Sequence, residues 1–326
     1  MSTLSVAGRK SLVLLSGGAY PALADEIASY IGVTLTPTTR REFANGEIFV
    51  RFEESVRGSD AFVVQSITTP VNTWLMETLL MVDALKRASA KRITVVMPFY
   101  PYARQDKKHR GREPISARLI ADLLKTAGAH RLMAVDLHTS QIQGFFDGPV
   151  DHLFALPLLA QYVRGRVDVS RLTVVSPDAG RVRVAERWTN VLGGTPLAFI
   201  HKTRDPLVPN EALVNKVVGE VQGRICVLID DMIDTAGTIV KAAEALFDNG
   251  AADVIVASTH AVFSGPAVDR LKNSRVCETI ITNTLPIPED RRFDKLTVLS
   301  IAPLLARAIN EVFQDGSVTS LFDGAA

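Results

Sequence analysis

The densest chemistry in the sequence is the run Val227-Leu228-Ile229-Asp230-Asp231-Met232-Ile233-Asp234-Thr235-Ala236-Gly237-Thr238. An apolar strand delivers two adjacent carboxylates at its carboxyl end. A loop of small and hydroxyl residues then runs into a helix. The free N–H groups of a helix start favour an anion. Thr235 and Thr238 add hydroxyl donors, and Gly237 lets the backbone approach closely. Asp230 and Asp231 can accept hydrogen bonds from vicinal hydroxyls. Phosphate at one end and a diol at the other describe a ribose 5-phosphate moiety. A merely capped helix needs one Asp or Thr; the repeated pattern, with Asp234 and Ala236 inside it, is read as a site.

Other residues suited to chemistry lie upstream. Phe43 offers a ring face for a base, and the Asn45 amide and Glu47 carboxylate can read its edge around the Asn45-Gly46 turn. Arg104 can take phosphates and Gln105 a nucleotide polar edge. Residues 104–112 hold five Lys or Arg, Arg110 among them, against one acid, Asp106. Asp136, His138, Asp147 and Asp151 supply oxygen and nitrogen donors after a strand, and magnesium prefers oxygen. Asp178 also follows an apolar run, Leu172-Thr173-Val174-Val175.

Something must hold these residues in place. Short β-branched runs at 11–15, 61–65, 93–97, 132–135, 172–175, 225–229, 254–257, 279–281 and 297–299 alternate with helical segments. The clearest helix spans 72–88, where Leu75, Leu79, Val82 and Leu85 make one apolar stripe. Others are expected over 115–127, after Pro114 in its first turn, and over 238–247 and 301–313. This alternation predicts an α/β fold with largely parallel sheets. The runs at 61, 93 and 132 lack alternating polarity, as strands covered on both faces do. A domain boundary is expected near 149–157. Both halves contain a strand ending in acids, a hint of duplication without a sequence repeat.

At 326 residues the chain is long enough for two domains. Its 36 basic and 35 acidic residues give a net charge of +1, so nothing suggests a nucleic-acid binder. Two cysteines, without a CxxC partner, fit a reducing compartment. The apolar core at 12–15 is too short for a signal peptide, and no apolar run approaches membrane-spanning length. A cytoplasmic protein without a membrane partner is expected.

The 230–238 segment resembles the ribose-phosphate loop of the phosphoribosyltransferase superfamily. That leaves two classes open: transferases that consume phosphoribosyl pyrophosphate, and the synthetase that makes it. Pro98-Phe99-Tyr100-Pro101-Tyr102-Ala103-Arg104-Gln105-Asp106-Lys107-Lys108 and Asp136-Leu137-His138-Thr139-Ser140-Gln141-Ile142-Gln143-Gly144-Phe145-Phe146 are similar to the nucleotide-binding signatures of class I ribose-phosphate diphosphokinases. Phe43-Ala44-Asn45-Gly46-Glu47, Ser176-Pro177-Asp178-Ala179-Gly180 and Lys202-Thr203-Arg204 complete the set in order. The family commonly has Asp where this chain has Asn45, and a second Gly where it has Arg181.

The resemblance implies two similar phosphoribosyltransferase-like domains, each with a parallel sheet flanked by helices: 1–153, with 310–326 returning to it, and 154–309. It implies transfer of the pyrophosphoryl group of ATP to ribose 5-phosphate for nucleotide biosynthesis, with magnesium, two ions, held by Asp136, His138 and Asp178. ATP would meet Phe43, Asn45, Gly46, Glu47, Arg104 and Gln105. Lys202 and Arg204 would form a phosphate lid, and Arg204 would share the sugar site with Asp230, Asp231 and residues 234–238. Ser317 and Thr319, with Arg110, would form a regulatory anion site between subunits. Homohexamers with an ATP site shared between neighbours are implied. A non-catalytic relative would be expected to have lost His138, Lys202 or Arg204, and all three are present.

Overall fold

The structure, a computed structural model, describes residues 10–203 and 214–322, with side chains described for 10–201 and 216–322. In chain order the strands and helices are β1 (Leu12–Ser16), α1 (Pro21–Ile31), β2 (Thr38–Glu42), β3 (Ile48–Phe52), β4 (Asp60–Val64), α2 (Val71–Arg87), β5 (Arg92–Met97), α3 (Ser116–Ala127), β6 (Arg131–Val135) and β7 (Val150–Leu153). There follow α4 (Leu156–Arg166), β8 (Leu172–Ser176), α5 (Val182–Val191), β9 (Leu197–Thr203), β10 (Val214–Val218), β11 (Ile225–Ile233), α6 (Gly237–Asp248), β12 (Asp253–Ala261), α7 (Ala267–Lys272), β13 (Glu278–Thr282), β14 (Leu296–Leu299) and α8 (Ala302–Phe313). Two compact units result. Residues to Leu153 join Ala302–Leu321 in the first, and Phe154–Ile301 with Phe322 form the second.

The first unit is built on a sheet of order β1-β4-β5-β6-β7, every pairing parallel. β2 and β3 form a separate antiparallel hairpin. The second has order β10-β9-β8-β11-β12-β13-β14, parallel except for β10 against β9. All five residues of β4 and of β8 are buried, which is why neither alternates in polarity. In α2 the stripe turns inward: Leu75, Val82 and Leu85 are buried and Leu79 packs on the same core. Pro114 stands before the Ile115 cap of α3, not in its first turn as expected. β7, β9, β10, α1, α4, α5 and α7 were not expected. β7, Val150-Asp151-His152-Leu153, carries two polar residues in four and reads as loop, yet Asp151 is held by Arg131 of the neighbouring β6 at 2.8 Å.

The chain's return is clasped by charge. α8 lies against α1, and Asp315 beyond it accepts from Lys10 Nζ at 2.6 Å and from Arg92 Nη1 at 2.5 Å. Arg92 also forks onto the buried Asp60 carboxylate, Nε to Oδ1 at 2.8 Å. Hydrogen bonds from Lys10 and then Arg92 bring the Asp315 carboxyl down from 3.8 to about 2. A carboxyl lowered on folding stabilises above its unfolded pKa and loses that contribution as pH falls through the folded one. Asp315→Asn is therefore expected to lower the unfolding midpoint at pH 5–7, with the gap to the parent closing between about pH 4 and 2. Urea titrations across that range check this. Because the pair is exposed, about 0.5 M salt should shrink the gap.

Candidate functional site

The 230–238 motif sits at the carboxyl edge of the second unit's sheet. β11 runs on to Ile233, so Asp230 and Asp231 lie within the strand, where a strand ending at 229 was expected. The reason is its neighbours. Pairing with β8 stops at Leu228, but pairing with the nine-residue β12 continues through Asp230↔Ser258 to Ile233↔Ala261. Beyond Leu228 the β8 side of β11 is open, and there the chain turns. Ala236 adopts a left-handed backbone, φ 59°, and α6 starts at Gly237 with no side chain capping it. Its first amides thus remain available to an anion. Thr235 and Thr238 are exposed, and Asp234 O accepts from Ser264 N at 2.9 Å. Arg270, on α7, donates to Thr235 O at 2.9 Å and lies 3.3 Å from where a Cβ on Gly237 would stand.

At the end of β8, Ser176 Oγ donates to Asp178 O at 2.6 Å. The Asp178 carboxylate accepts from Gly180 N (2.8 Å) and Arg181 N (3.2 Å), capping a short turn into α5. Arg181 then reaches across the edge: Nη2 donates to Asp231 Oδ1 at 2.6 Å, and Nε lies 3.8 Å from Asp230 Oδ1. Burial first, and the Asp231 charge second, push the Asp230 carboxyl well above its usual range, against the pull of Arg181. The β9–β10 connection, with Arg204, and the Lys202 side chain lie outside the described residues.

In the first unit the signatures again leave the carboxyl ends. After β5, Arg104 and Gln105 are exposed, while Asp106 turns inward and accepts from Thr139 Oγ1 and Gln141 Nε2, both at 2.7 Å. Asp106 thus staples the two signature loops together. Gln105 Oε1 accepts from Ser116 Oγ at 2.6 Å. Asp136, at φ 37°, opens the second loop, and His138 is half-buried beside it. Around the β2–β3 tip, Phe43 is exposed, Gly46 has φ 88°, and Asn45 Oδ1 accepts from Glu47 N at 3.2 Å. An aspartate could accept that bond equally well, so the departure at Asn45 leaves the turn unchanged. Arg40 ties the hairpin down, donating to Ser16 O and lying 3.7 Å from buried Glu77.

The strand registers expose a duplication. Leu15 pairs with Val63 in the first unit as Val175 pairs with Leu228 in the second. Counting on, Gln65 and Ser66 take the places of Asp230 and Asp231. The β2–β3 hairpin takes the chain position of β9–β10. The first unit's hollow is closed, however. Gln65 fills it, so that a Cβ on Gly17 would stand 2.2 Å from that side chain, and Glu77 Oε1 accepts from Gly18 N at 3.0 Å.

Sequence reasoning missed Asp106, Glu77, Arg181 and Arg270 as partners of the site. Their signal lies in contacts 33 to 59 positions apart. Ser317 and Thr319 are exposed on the turn 318–322, and Phe322 is buried edge-on to Phe154, ring centroids 5.5 Å apart. Among the described residues no hydrogen bond joins Arg110 to either hydroxyl within one chain. Asp106→Ala strands two donors and is expected to cost about 2–4 kcal/mol, against about 1 kcal/mol for Asp106→Asn, which keeps an acceptor. Urea denaturation measures both.

A family model described as the N-terminal domain of ribose phosphate pyrophosphokinase matches residues 12–128, and one described as a phosphoribosyl synthetase-associated domain matches 199–323. The chain is 66% identical over 323 residues to a ribose-phosphate pyrophosphokinase of Streptomyces coelicolor, covering 99% of each. It is 66% identical over 318 residues to that of Mycobacterium tuberculosis, covering 98% of each. The crystal structure of phosphoribosylpyrophosphate synthetase from Mycobacterium smegmatis matches with a TM-score of 0.90 at 62% identity, over 94% of this chain and 100% of that one. On likeness of this extent, through both units, the chain belongs to the ribose-phosphate pyrophosphokinase family.

Proposed function

We propose that the two units divide the labour of one reaction, in which the pyrophosphoryl group of ATP passes to the anomeric hydroxyl of ribose 5-phosphate. The products are 5-phosphoribosyl 1-pyrophosphate and AMP. The observation that carries the sugar half is the uncapped start of α6, placed just past two adjacent carboxylates. Its amides and the Thr235 and Thr238 hydroxyls hold the 5-phosphate, and the Asp230–Asp231 edge accepts the ring hydroxyls. The nucleotide half rests on Phe43, Asn45, Gly46 and Glu47 at the hairpin tip and on exposed Arg104 and Gln105. Lys202 and Arg204 meet the charge that builds on the phosphate oxygens. In such a transfer positioning and cationic stabilisation do most of the work, and no general base is required.

Magnesium fits the donors present. Asp178 keeps Oδ2 open among the described residues while Oδ1 caps its turn, and Asp136 and His138 add donors in the first unit. No three His, Cys, Asp or Glu side chains gather among the described residues, which suits an ion that takes most of its shell from phosphates and water. Bound there, it would neutralise phosphate charge and orient the ATP chain. Asp136, His138 and Asp178 would be the protein ligands for two ions.

Assembly as a hexamer, with the hairpin tip completing a neighbour's nucleotide site, is the quaternary reading. The exposed Phe43 ring on its separate hairpin supports it. No helix among the described residues is long and apolar enough to cross a membrane. Both cysteines are free, as a reducing cytoplasm would keep them.

The test is a product assay with ATP and ribose 5-phosphate. AMP is expected in step with phosphoribosyl pyrophosphate; ADP, or activity only with a nucleobase, would overturn the reading. Lys202→Ala and Arg204→Ala should lower kcat and kcat/KM together, by about tenfold or more, with sugar KM little changed. Asp230→Asn should raise the sugar KM several-fold.

A regulatory anion site at Ser317, Thr319 and Arg110 is the companion proposal, supported by their exposure and by the anchoring of the tail through Phe322. Removing residues 317–326 is expected to blunt the response to inorganic phosphate or ADP more than it lowers basal turnover. Superimposable activity curves for the full and shortened chains would remove the assignment.

A further inference from the structure

Arg181 occupies a position that calls for a physical account. It directly precedes α5, where the positive end of the helix dipole disfavours a cation. Its backbone is fixed by the Asp178 cap, at 3.2 Å from Arg181 N to Asp178 Oδ1. Its side chain is only 18% exposed, so the guanidinium is largely withdrawn from water. A carboxylate 50 positions on, Asp231, compensates it at 2.6 Å from Nη2. The adjacent Asp230 lies farther from the guanidinium: its Oδ1 accepts from Asp231 N at 2.9 Å and is 3.8 Å from Arg181 Nε.

Two neighbouring carboxylates at the open edge of a buried strand repel each other and lose hydration together. A cation bonded to one of them splits their roles. We propose that Arg181 is the positioning residue of the sugar site: it takes the Asp231 carboxylate for itself and leaves Asp230 as the acceptor for the vicinal hydroxyls of the sugar. The proposal rests on reading this edge as the ribose 5-phosphate site and narrows that reading from two acceptors to one. Charge balance favours it. With Arg181 in place, its cation offsets negative charge on the pair; without it, that charge is left uncompensated at a crowded, poorly hydrated edge. Arg181 itself need not touch the sugar. Its effect passes through the acid it holds.

The experiment is a double-mutant cycle on the full chain, with ATP and magnesium saturating and ribose 5-phosphate varied. Arg181→Ala is expected to raise the sugar KM about tenfold while kcat stays within about threefold, and Arg181→Lys to recover part of the loss. Asp231→Asn in the Arg181→Ala background should return the KM to within about threefold of the parent, because the charge that Arg181 held is gone. That rescue also shows that the single variant folds. An unchanged KM for Arg181→Ala, a fall in kcat alone, or additive losses in the double variant would overturn the proposal. Asp230→Asn, measured alongside, separates the two levels. If it raises the sugar KM while Arg181→Ala does not, only the role of Arg181 falls. If it too leaves the KM unchanged, the sugar site itself lies elsewhere.

Discussion

Parallel pairing is the constraint on which the rest of this structure depends. A parallel strand must return through a crossover, so its helices cover both faces of the sheet and its interior strands become wholly apolar. Fully buried β4 and β8 are the outcome. Polar side chains can then leave such a sheet mainly at its edges. The carboxyl ends of the parallel strands in a unit point the same way, so the loops that follow them collect the chemistry. Asp106 and Asp136 follow β5 and β6 in one unit; in the other, Asp178 follows β8 and Asp230 lies in the last half of β11. What looks along the chain like scattered motifs is one structural edge used repeatedly.

The same constraint explains how two units of matching topology came to differ. At equivalent register positions one unit has Gln65 and Ser66, the other Asp230 and Asp231. In the first, paired glycines admit a side-chain amide, and the hollow is filled from within: Ala19 N donates to Gln65 Oε1 at 3.1 Å. Glu77 adds a buried carboxylate whose pKa burial raises and Arg40 restrains. In the second, the hollow stays open toward an uncapped helix. One fold thus yields a closed polar anchor for a hairpin and an open cradle for an anion.

The sequence made nine of the strands legible, because each is a short run rich in apolar and β-branched residues. β7 escaped because the partners of its two polar residues, Arg131 for Asp151 and Leu137 N for His152 Nε2, are not visible in the linear sequence. β9 and β10 flank residues 204–213, which lie outside the described residues. The acidic loop at 230–238 was legible because its chemistry is contiguous. Asp106 was not: among basic residues it reads as an ordinary surface acid, and its partners Thr139 and Gln141 stand 33 and 35 positions away. Arg181 was noticed only as a departure. Its meaning depends on a carboxylate 50 positions on, brought near by the β8–β11 pairing. Local chemistry survives in a sequence, whereas partnership across strands requires the register.

Ion pairs do different work at the two ends of the sheets. Asp60, Arg92 and Arg131 are the first residues of β4, β5 and β6, and each meets a partner supplied by the chain itself. Asp315 joins that end and clasps the returning segment. Burial raises the Asp151 carboxyl above its ordinary range, against the opposing pull of the Arg131 bond. At the carboxyl ends the balance is deliberately incomplete. Lys107, Lys108 and Arg110 extend into solvent, and the start of α6 has no side-chain cap. A charge completed by the chain fixes geometry, and a charge left for a ligand gives that geometry something to bind. Arg181 stands between these cases, since it completes Asp231 and, by doing so, leaves Asp230 for the sugar.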